Sequence, residues 1–550
     1  MGIIMKKKKL LAVLVSMAVT SAALFGCGSE GSSRVFDAGG GYNYAPAGDK
    51  NGTTAMQAEA DGGLAYGSAA EYEYEAVTDE DWNTEEYNSI REIGFKSVTN
   101  EPLSTFSADV DTASYSNLRR MIEQGVSLEE IPAGSVRIEE MLNYFSYDYD
   151  LPKGEEPFGV TTVIGDCPWN ENAMLLQIGL KTEAIDFSEA PDSNLVFLLD
   201  VSGSMNSENK LPLLQKSFGM LVDELTEKDR VSIVTYASSN KVVLEGVSGD
   251  NKQTIIDALE SLAAFGSTNG GDGIQTAYAL AEEYFIEGGN NRVILATDGD
   301  LNVGVTSESQ LEKLITEKKE SGVFLSVLGF GTGNIKDNKM ETLADKGNGN
   351  YAYIDSLSEA KKVLVEEMGA TLVTVAKDVK LQVEFNPAYI QGYRLLGYEN
   401  RRLETEDFDD DTKDAGEIGA GHTVTALYEI IPVGSEQEVP QTELKYQDND
   451  SVGVENGEWL NLSIRYKEPD SEESKLAAYP VTEDSYTEQP TEDFYFAAAV
   501  AEFGLLVRDS EYKGEASFDN IRELLKQVDT DADEYKDEFV YLVKKLQKNS

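Results

Sequence analysis

Three short stretches of the sequence concentrate oxygen-bearing side chains. Asp200-Val201-Ser202-Gly203-Ser204 places a carboxylate and two hydroxyls just beyond the apolar run Asn194 to Leu199. Ala296-Thr297-Asp298-Gly299-Asp300 closes a second apolar run, Arg292 to Thr297, and Gly266-Ser267-Thr268-Asn269-Gly270-Gly271 is a turn-rich loop between the two. Carboxylates and hydroxyls suit a small hard cation such as Mg²⁺, which takes about six oxygens and gives up its water reluctantly. Hydroxyls contribute oxygen without adding charge.

The elements that must position these groups are legible from periodicity. Asn194 to Leu199, Arg230 to Tyr236, Arg292 to Thr297 and Gly322 to Gly329 are continuous apolar runs bounded by turn residues, and segments such as Leu211 to Leu225 between them have a 3.6-residue period. Buried strands alternating with helices predict an α/β fold with a doubly wound, mostly parallel sheet covered on both faces. Ligands of such sheets bind at the carboxyl ends of the strands, where the oxygen-rich stretches fall.

Together the three stretches resemble the metal-ion-dependent adhesion site of von Willebrand factor type A domains. The resemblance implies Ser202, Ser204 and Thr268 as metal ligands, with Asp200 and Asp298 acting partly through water or by orienting the ligands, and Mg²⁺ or Mn²⁺ as the ion. Two carboxylates leave such an ion incompletely neutralised, so a Glu or Asp of a protein partner can fill an open coordination position. Asn269, Asp272, Asp300 and Asn302 read equally well as turn residues and stay outside the expected shell. Further stretches, among them DRVSIVTYA, GVFLSVLGFGTGN, LADKGNGNYAYID, VAKDVKLQVEFNP, RIEEMLNYF and FAAAVAEFGLLVRDS, resemble the bacterial YfbK-like subfamily over nearly everything after residue 95. That resemblance implies a central A domain between an N-terminal segment and a C-terminal domain.

The N-terminal stretch suggests a compartment. Lys6 to Lys9 precede a short apolar stretch, Leu10 to Leu24, which reads as a signal peptide. Leu24-Phe25-Gly26-Cys27 resembles the bacterial lipobox, so Cys27 is the expected lipidation site and the protein is expected on the extracytoplasmic side of the cell membrane. The expected organisation is a signal peptide over 1–27, a flexible Gly/Ala/Tyr/acidic linker over 28–90, an α+β segment over 91–190, the A domain over 191–372, and strands followed by three helices over 373–550. A linker of that length has a root-mean-square reach on the order of 40–45 Å. Its tyrosines, as in Glu71-Tyr72-Glu73-Tyr74-Glu75, would also suit a recognition patch for wall polymer.

With 99 acidic against 46 basic residues, a formal charge of −53 opposes nucleic acid as a partner. The chain holds two cysteines, Cys27 and Cys167, and one histidine, His422. No catalytic constellation is visible: His422 lies in a strand-like stretch and Cys167 reads as a small packed apolar side chain. Asp529 to Asp533 begins like a calcium loop but has Glu534 and Val540 where Gly and Glu are needed, so it is expected to cap the helix that follows. Glu406 to Asp414 is expected to be a solvated loop, and Asp109 to Thr112 to cap a helix beginning near Ala113. The expected function is a cell-surface lipoprotein that binds a partner protein through a bridging divalent cation. The alternatives are an enzyme in the flanking domains, such as a hydrolase acting on cell-envelope material, and an assembly scaffold with a structural metal.

Overall fold

The computed structural model describes residues 84–108, 111–185, 190–267, 273–299, 308–367, 372–413, 415–441 and 453–550. The expected signal peptide, Cys27 and most of the expected linker lie outside these residues.

The central sheet contains β5 (Ser193–Asp200), β6 (Arg230–Tyr236), β7 (Asn240–Ser248), β8 (Asn290–Thr297), β9 (Val323–Phe330) and β10 (Tyr351–Ile354), in the order β10-β9-β8-β5-β6-β7. All neighbours are parallel except the edge strand β7. Both faces of the two middle strands are buried, which explains their unbroken apolar sequence. Leu195, Phe197 and Leu199 pack on one face with Leu214 and Phe218 of the helix Leu211–Glu224. Val196 and Leu198 pack on the other with Ile274 and Tyr278 of the helix Gly273–Glu283. The connections reverse direction between β5 and β8, so the carboxyl ends of these two strands form the switch-point crevice of a doubly wound sheet.

The two flanks build one body. Before the A domain come β1 (Lys96–Ser97), β2 (Leu103–Ser107), β3 (Phe158–Asp166) and β4 (Met174–Thr182). After it come β11 (Thr374–Phe385), β12 (Ile390–Leu396), β13 (Ile418–Gly419), β14 (Thr423–Pro432), β15 (Glu458–Lys467) and β16 (Ser474–Thr482). One sheet runs β1-β12-β14-β4-β3; a second runs β13-β11-β15-β16, with β2 also paired to β11. Because β2 pairs with β11 and β4 with β14, the A domain is inserted into a sandwich made by strands from both sides of it. Leu381, Val383, Leu462 and Ile464 of one sheet meet Leu176, Ile178, Tyr428 and Ile430 of the other. Neither flank reads as a complete sandwich alone from its sequence, and the expectation that strands on either side of the A domain associate is met: the N- and C-terminal segments share a core.

On the outer face of the first sheet lie the helix Ala113–Glu123 and the three C-terminal helices, Glu492–Val507, Phe518–Leu525 and Glu534–Asn549. Glu492–Val507 is apolar nearly all round because the layer encloses it. Among the described residues no helix is long and apolar enough to cross a membrane. The last helix begins as expected, with the Asp533 carboxylate accepting from the N–H groups of Tyr535 and Lys536.

Ion pairs hold the A domain against the sandwich. Arg137 meets Asp337 at 2.6 Å and also Glu140, while Arg401 meets Asp345 at 2.6 Å and Asp111 at 3.0 Å. Arg119 joins Asp355 and Glu359. Several expectations change here. Asp111 does not cap the helix at Ala113; its carboxylate accepts from the Tyr351 N–H at 2.8 Å and from Arg401. Asp109 and Val110, the start of the same expected cap, lie outside the described residues. The acidic run is largely exposed, as expected of a solvated loop, but its backbone is anchored, since Lys380 Nζ bonds the carbonyls of Asp407 and Asp410, and Arg465 pairs with Asp409. The end of the expected linker is tied down: the N–H groups of Thr84 and Glu86 bond the Gly333 and Ile335 carbonyls, and Glu85 pairs with Arg120 at 2.9 Å.

Candidate metal centre

Asp200, the last residue of β5, is fully buried, and its Oδ1 accepts the Ser202 N–H at 2.8 Å. Across the switch point, the Thr297 hydroxyl lies 3.4 Å from Asp200 Oδ2. The Ser202 and Ser204 Oγ atoms are 2.9 Å apart, Ser204 lying in the short helical turn Gly203–Asn206. A second segment is docked against this loop: the Gly203 N–H bonds the Gly266 carbonyl at 2.9 Å, and the Phe265 N–H bonds the Val201 carbonyl at 2.8 Å. That backbone pairing leaves the Phe265 ring 83% exposed beside the loop. Thr268, two residues beyond Gly266, lies outside the described residues, as do Asn269, Asp272, Asp300 and Asn302.

Asp298 follows β8 and is buried. Its Oδ2 accepts from Lys210 Nζ at 2.8 Å, whereas Oδ1 is buried with no hydrogen-bond partner among the described residues. Two glycines make this arrangement possible. Gly299 has φ +114°, and a Cβ there would lie 1.9 Å from the Asn334 carbonyl oxygen. At Gly331, φ is +77° and a Cβ would lie 2.3 Å from Lys210 Cε, so the lysine stem runs over bare backbone to reach Asp298.

The structure thus brings Asp200, Ser202, Ser204 and Asp298 to the ends of two adjacent strands. The donor set, carboxylates with hydroxyls and one buried carboxylate oxygen lacking a partner, fits a hard oxygen-seeking cation. Among the described residues no group of three or more His, Cys, Asp or Glu side chains is arranged to hold a metal ion, so a cation here would depend on hydroxyls as well as carboxylates. Lys210 was not foreseen from the sequence. Its only local signal is a lysine six residues after Ser204 at the start of an apolar helix, and nothing local specifies a partner 88 positions away.

Comparison with known proteins shows which domains the chain contains. Residues 194–367 match the von Willebrand factor type A domain, 81–177 match the description von Willebrand factor, and 370–548 match the C-terminal region of YfbK. YfbK of Escherichia coli strain K12 is 43% identical over 470 residues, covering 84% of this chain and 80% of that one. This chain belongs to the YfbK family. A more limited likeness, 30% identity over 146 residues, links 25% of this chain to 16% of human inter-alpha-trypsin inhibitor heavy chain H4. A von Willebrand factor type A structure from Catenulispora acidiphila is 15% identical, covers 71% of this chain and 93% of its own, and has a TM-score of 0.38.

The two residues weighed for other chemistry have structural surroundings in this YfbK-family chain. Cys167 is buried, and burial together with the nearby Glu429 carboxylate pushes its thiol well above the usual range, which removes the thiolate needed for nucleophilic attack. Its Sγ lies 3.8 Å from Glu429 Oε1. His422 precedes β14 and its carbonyl accepts the Thr182 N–H; burial depresses its imidazole below the ordinary value, so it is neutral at pH 7.

Proposed function

We propose that the A domain captures a carboxylate-bearing partner protein through one Mg²⁺ or Mn²⁺ ion. In this reading Ser202, Ser204 and Thr268 hold the ion, Asp200 and Asp298 orient that shell or reach the ion through water, and a Glu or Asp of the partner completes it. The charge balance around Asp298 carries the proposal. Asp200 and Asp298 are buried, and Lys210 neutralises one of the two. A divalent cation added beside them leaves one net positive charge, which an incoming carboxylate cancels in a poorly solvated site. The bound ion would act as a Lewis acid toward that carboxylate. The test is pull-down with the soluble ectodomain: a partner retained in Mg²⁺, released by EDTA and recaptured on Mg²⁺ addition is the expected result, whereas equal capture in EDTA would refute the bridging role.

The same proposal places the protein at the outer surface of the cell membrane, anchored through a lipid on Cys27. The other cysteine, Cys167, is buried and cannot substitute as acceptor in the folded chain. A fatty-acid analogue fed to cells should label the protein, and Cys27→Ala should remove the label. Label that persists on the variant would overturn the anchor.

A further inference from the structure

At the opposite edge of the A-domain sheet, a cleft of about 260 Å³ opens between the A domain and the sandwich. Arg292 on β8 lines it, six positions before Asp298 and so about 20 Å from the candidate metal centre at strand rise. Four cationic side chains, Arg292, Lys346, Arg401 and Arg402, line the cleft with the two carboxylates of Asp345 and Glu417. In a chain where acids outnumber bases 99 to 46, this is a local inversion of charge.

The carboxylates are already engaged. Glu417 accepts from Asn348 Nδ2 at 2.6 Å and from the Thr374 hydroxyl at 2.7 Å, and Asp345 Oδ2 accepts from Arg401 at 2.6 Å. Lys346 and Arg402 form no ion pair among the described residues, so their charge faces the cleft uncompensated. Arg292 is buried, donates to the Ser326 hydroxyl at 2.7 Å and stacks over Phe324. Burial pushes it down to about 10, against the opposing pull of the Glu417 carboxylate. One acceptor is left over: Asp345 Oδ1 is buried with no hydrogen-bond partner among the described residues. An anion alone would satisfy the cations and repel that oxygen; an anion that also carries hydroxyls would satisfy both.

We propose that this cleft binds a hydroxylated anion of the size of one acidic sugar residue, its negative group on Lys346 and Arg402 and a hydroxyl donated to Asp345. The site is independent of the metal centre. Calorimetric titration of the full-length protein with glucuronate, glucose and inorganic phosphate tests it. Saturable glucuronate binding is expected, at least about tenfold tighter than either glucose or phosphate, since one ligand lacks the charge and the other lacks carbon-borne hydroxyls. Lys346→Gln with Arg402→Gln should weaken glucuronate at least about tenfold with an unchanged melting profile, because neither side chain is in an ion pair, and Asp200→Ala should leave glucuronate binding intact. Displacement by a uronate oligomer would assign the natural ligand to a polymer, and failure to displace would assign it to a free sugar acid. No saturable glucuronate binding, equal affinity for glucose or phosphate, or an unaffected double variant would overturn the proposal.

Discussion

Asp200→Ala should abolish Mn²⁺ and Mg²⁺ binding by the ectodomain, a larger loss than Ser204→Ala should cause. The carboxylate fixes the loop that presents the hydroxyls by accepting the Ser202 N–H, and it supplies a buried negative charge that no water can replace. A missing hydroxyl, by contrast, can be replaced by a water ligand, so Ser204→Ala should cost roughly one to two orders of magnitude in affinity, as loss of an orienting or ligating group typically does. Asp200 is fully buried at the strand end, so its removal also leaves the Ser202 N–H without its acceptor, a penalty of about 1–3 kcal/mol. Asp200→Asn retains an acceptor oxygen for the Ser202 N–H and most of that stability while removing the charge, and it too should lose the metal. Calorimetry with Mn²⁺, run beside thermal melts, separates the two effects. Metal affinity unchanged in both variants would remove Asp200 from the site.

The second large effect is expected at the junction. Arg137→Met should destabilise the protein by about 3–5 kcal/mol, because it leaves the buried carboxylates of Asp337, Glu140 and Glu341 without the guanidinium that lies against them. Glu341 gives this effect a pH signature. Burial pushes its carboxyl up to about 8, against the opposing pull of Arg137. A carboxyl whose folded value lies above its unfolded value binds more protons folded, so its contribution is complete below about pH 4.5 and is lost as pH rises toward 8. Glu139 and Glu502, each pushed up to about 7 chiefly by burial, act in the same direction, while the depressed His422 opposes them near pH 6.5. The wild type should therefore lose stability from pH 5 to 8, and Arg137→Met should lose it more steeply, since Glu341 is then still harder to ionise. Urea midpoints across that range provide the measurement. A variant that matches the wild type at pH 8 would show that the cluster does not stabilise the junction.

Most of the A domain is encoded locally. The unbroken apolar run Arg230 to Tyr236 coincides with β6, and Leu211–Glu224 ends one residue short of the amphipathic segment read from the sequence. Strands buried on both faces have to be apolar throughout, so the oxygen-bearing residues of D-x-S-x-S and Thr297-Asp298-Gly299 stand out against their own strands. The concentration of oxygen-bearing side chains at the switch point was legible for that reason, and the family was legible from its resemblance in stretches such as DRVSIVTYA and LADKGNGNYAYID.

What tertiary structure alone decided concerns partners distant in sequence. Nothing in Leu103–Ser107 specifies pairing with Thr374–Phe385, because a five-residue strand has many acceptable edges and only the shared core selects one. Asp111 has the sequence context of a helix cap, yet the folded chain offers it a buried arginine and a strand N–H, and a charge-assisted bond in a desolvated place outweighs a solvent-exposed cap. The acidic loop after Glu406 keeps its exposure, but its backbone is fixed only because β11 and β15 bring Lys380 and Arg465 beneath it. Lys210 meets Asp298 only because the sheet places the helix after β5 beside the end of β8 and Gly331 leaves room for the lysine stem. Local patterning carries each residue's preference for water or core; which charge meets which carboxylate is a property of the packed chain, where desolvation makes every buried ion depend on a neighbour chosen by topology.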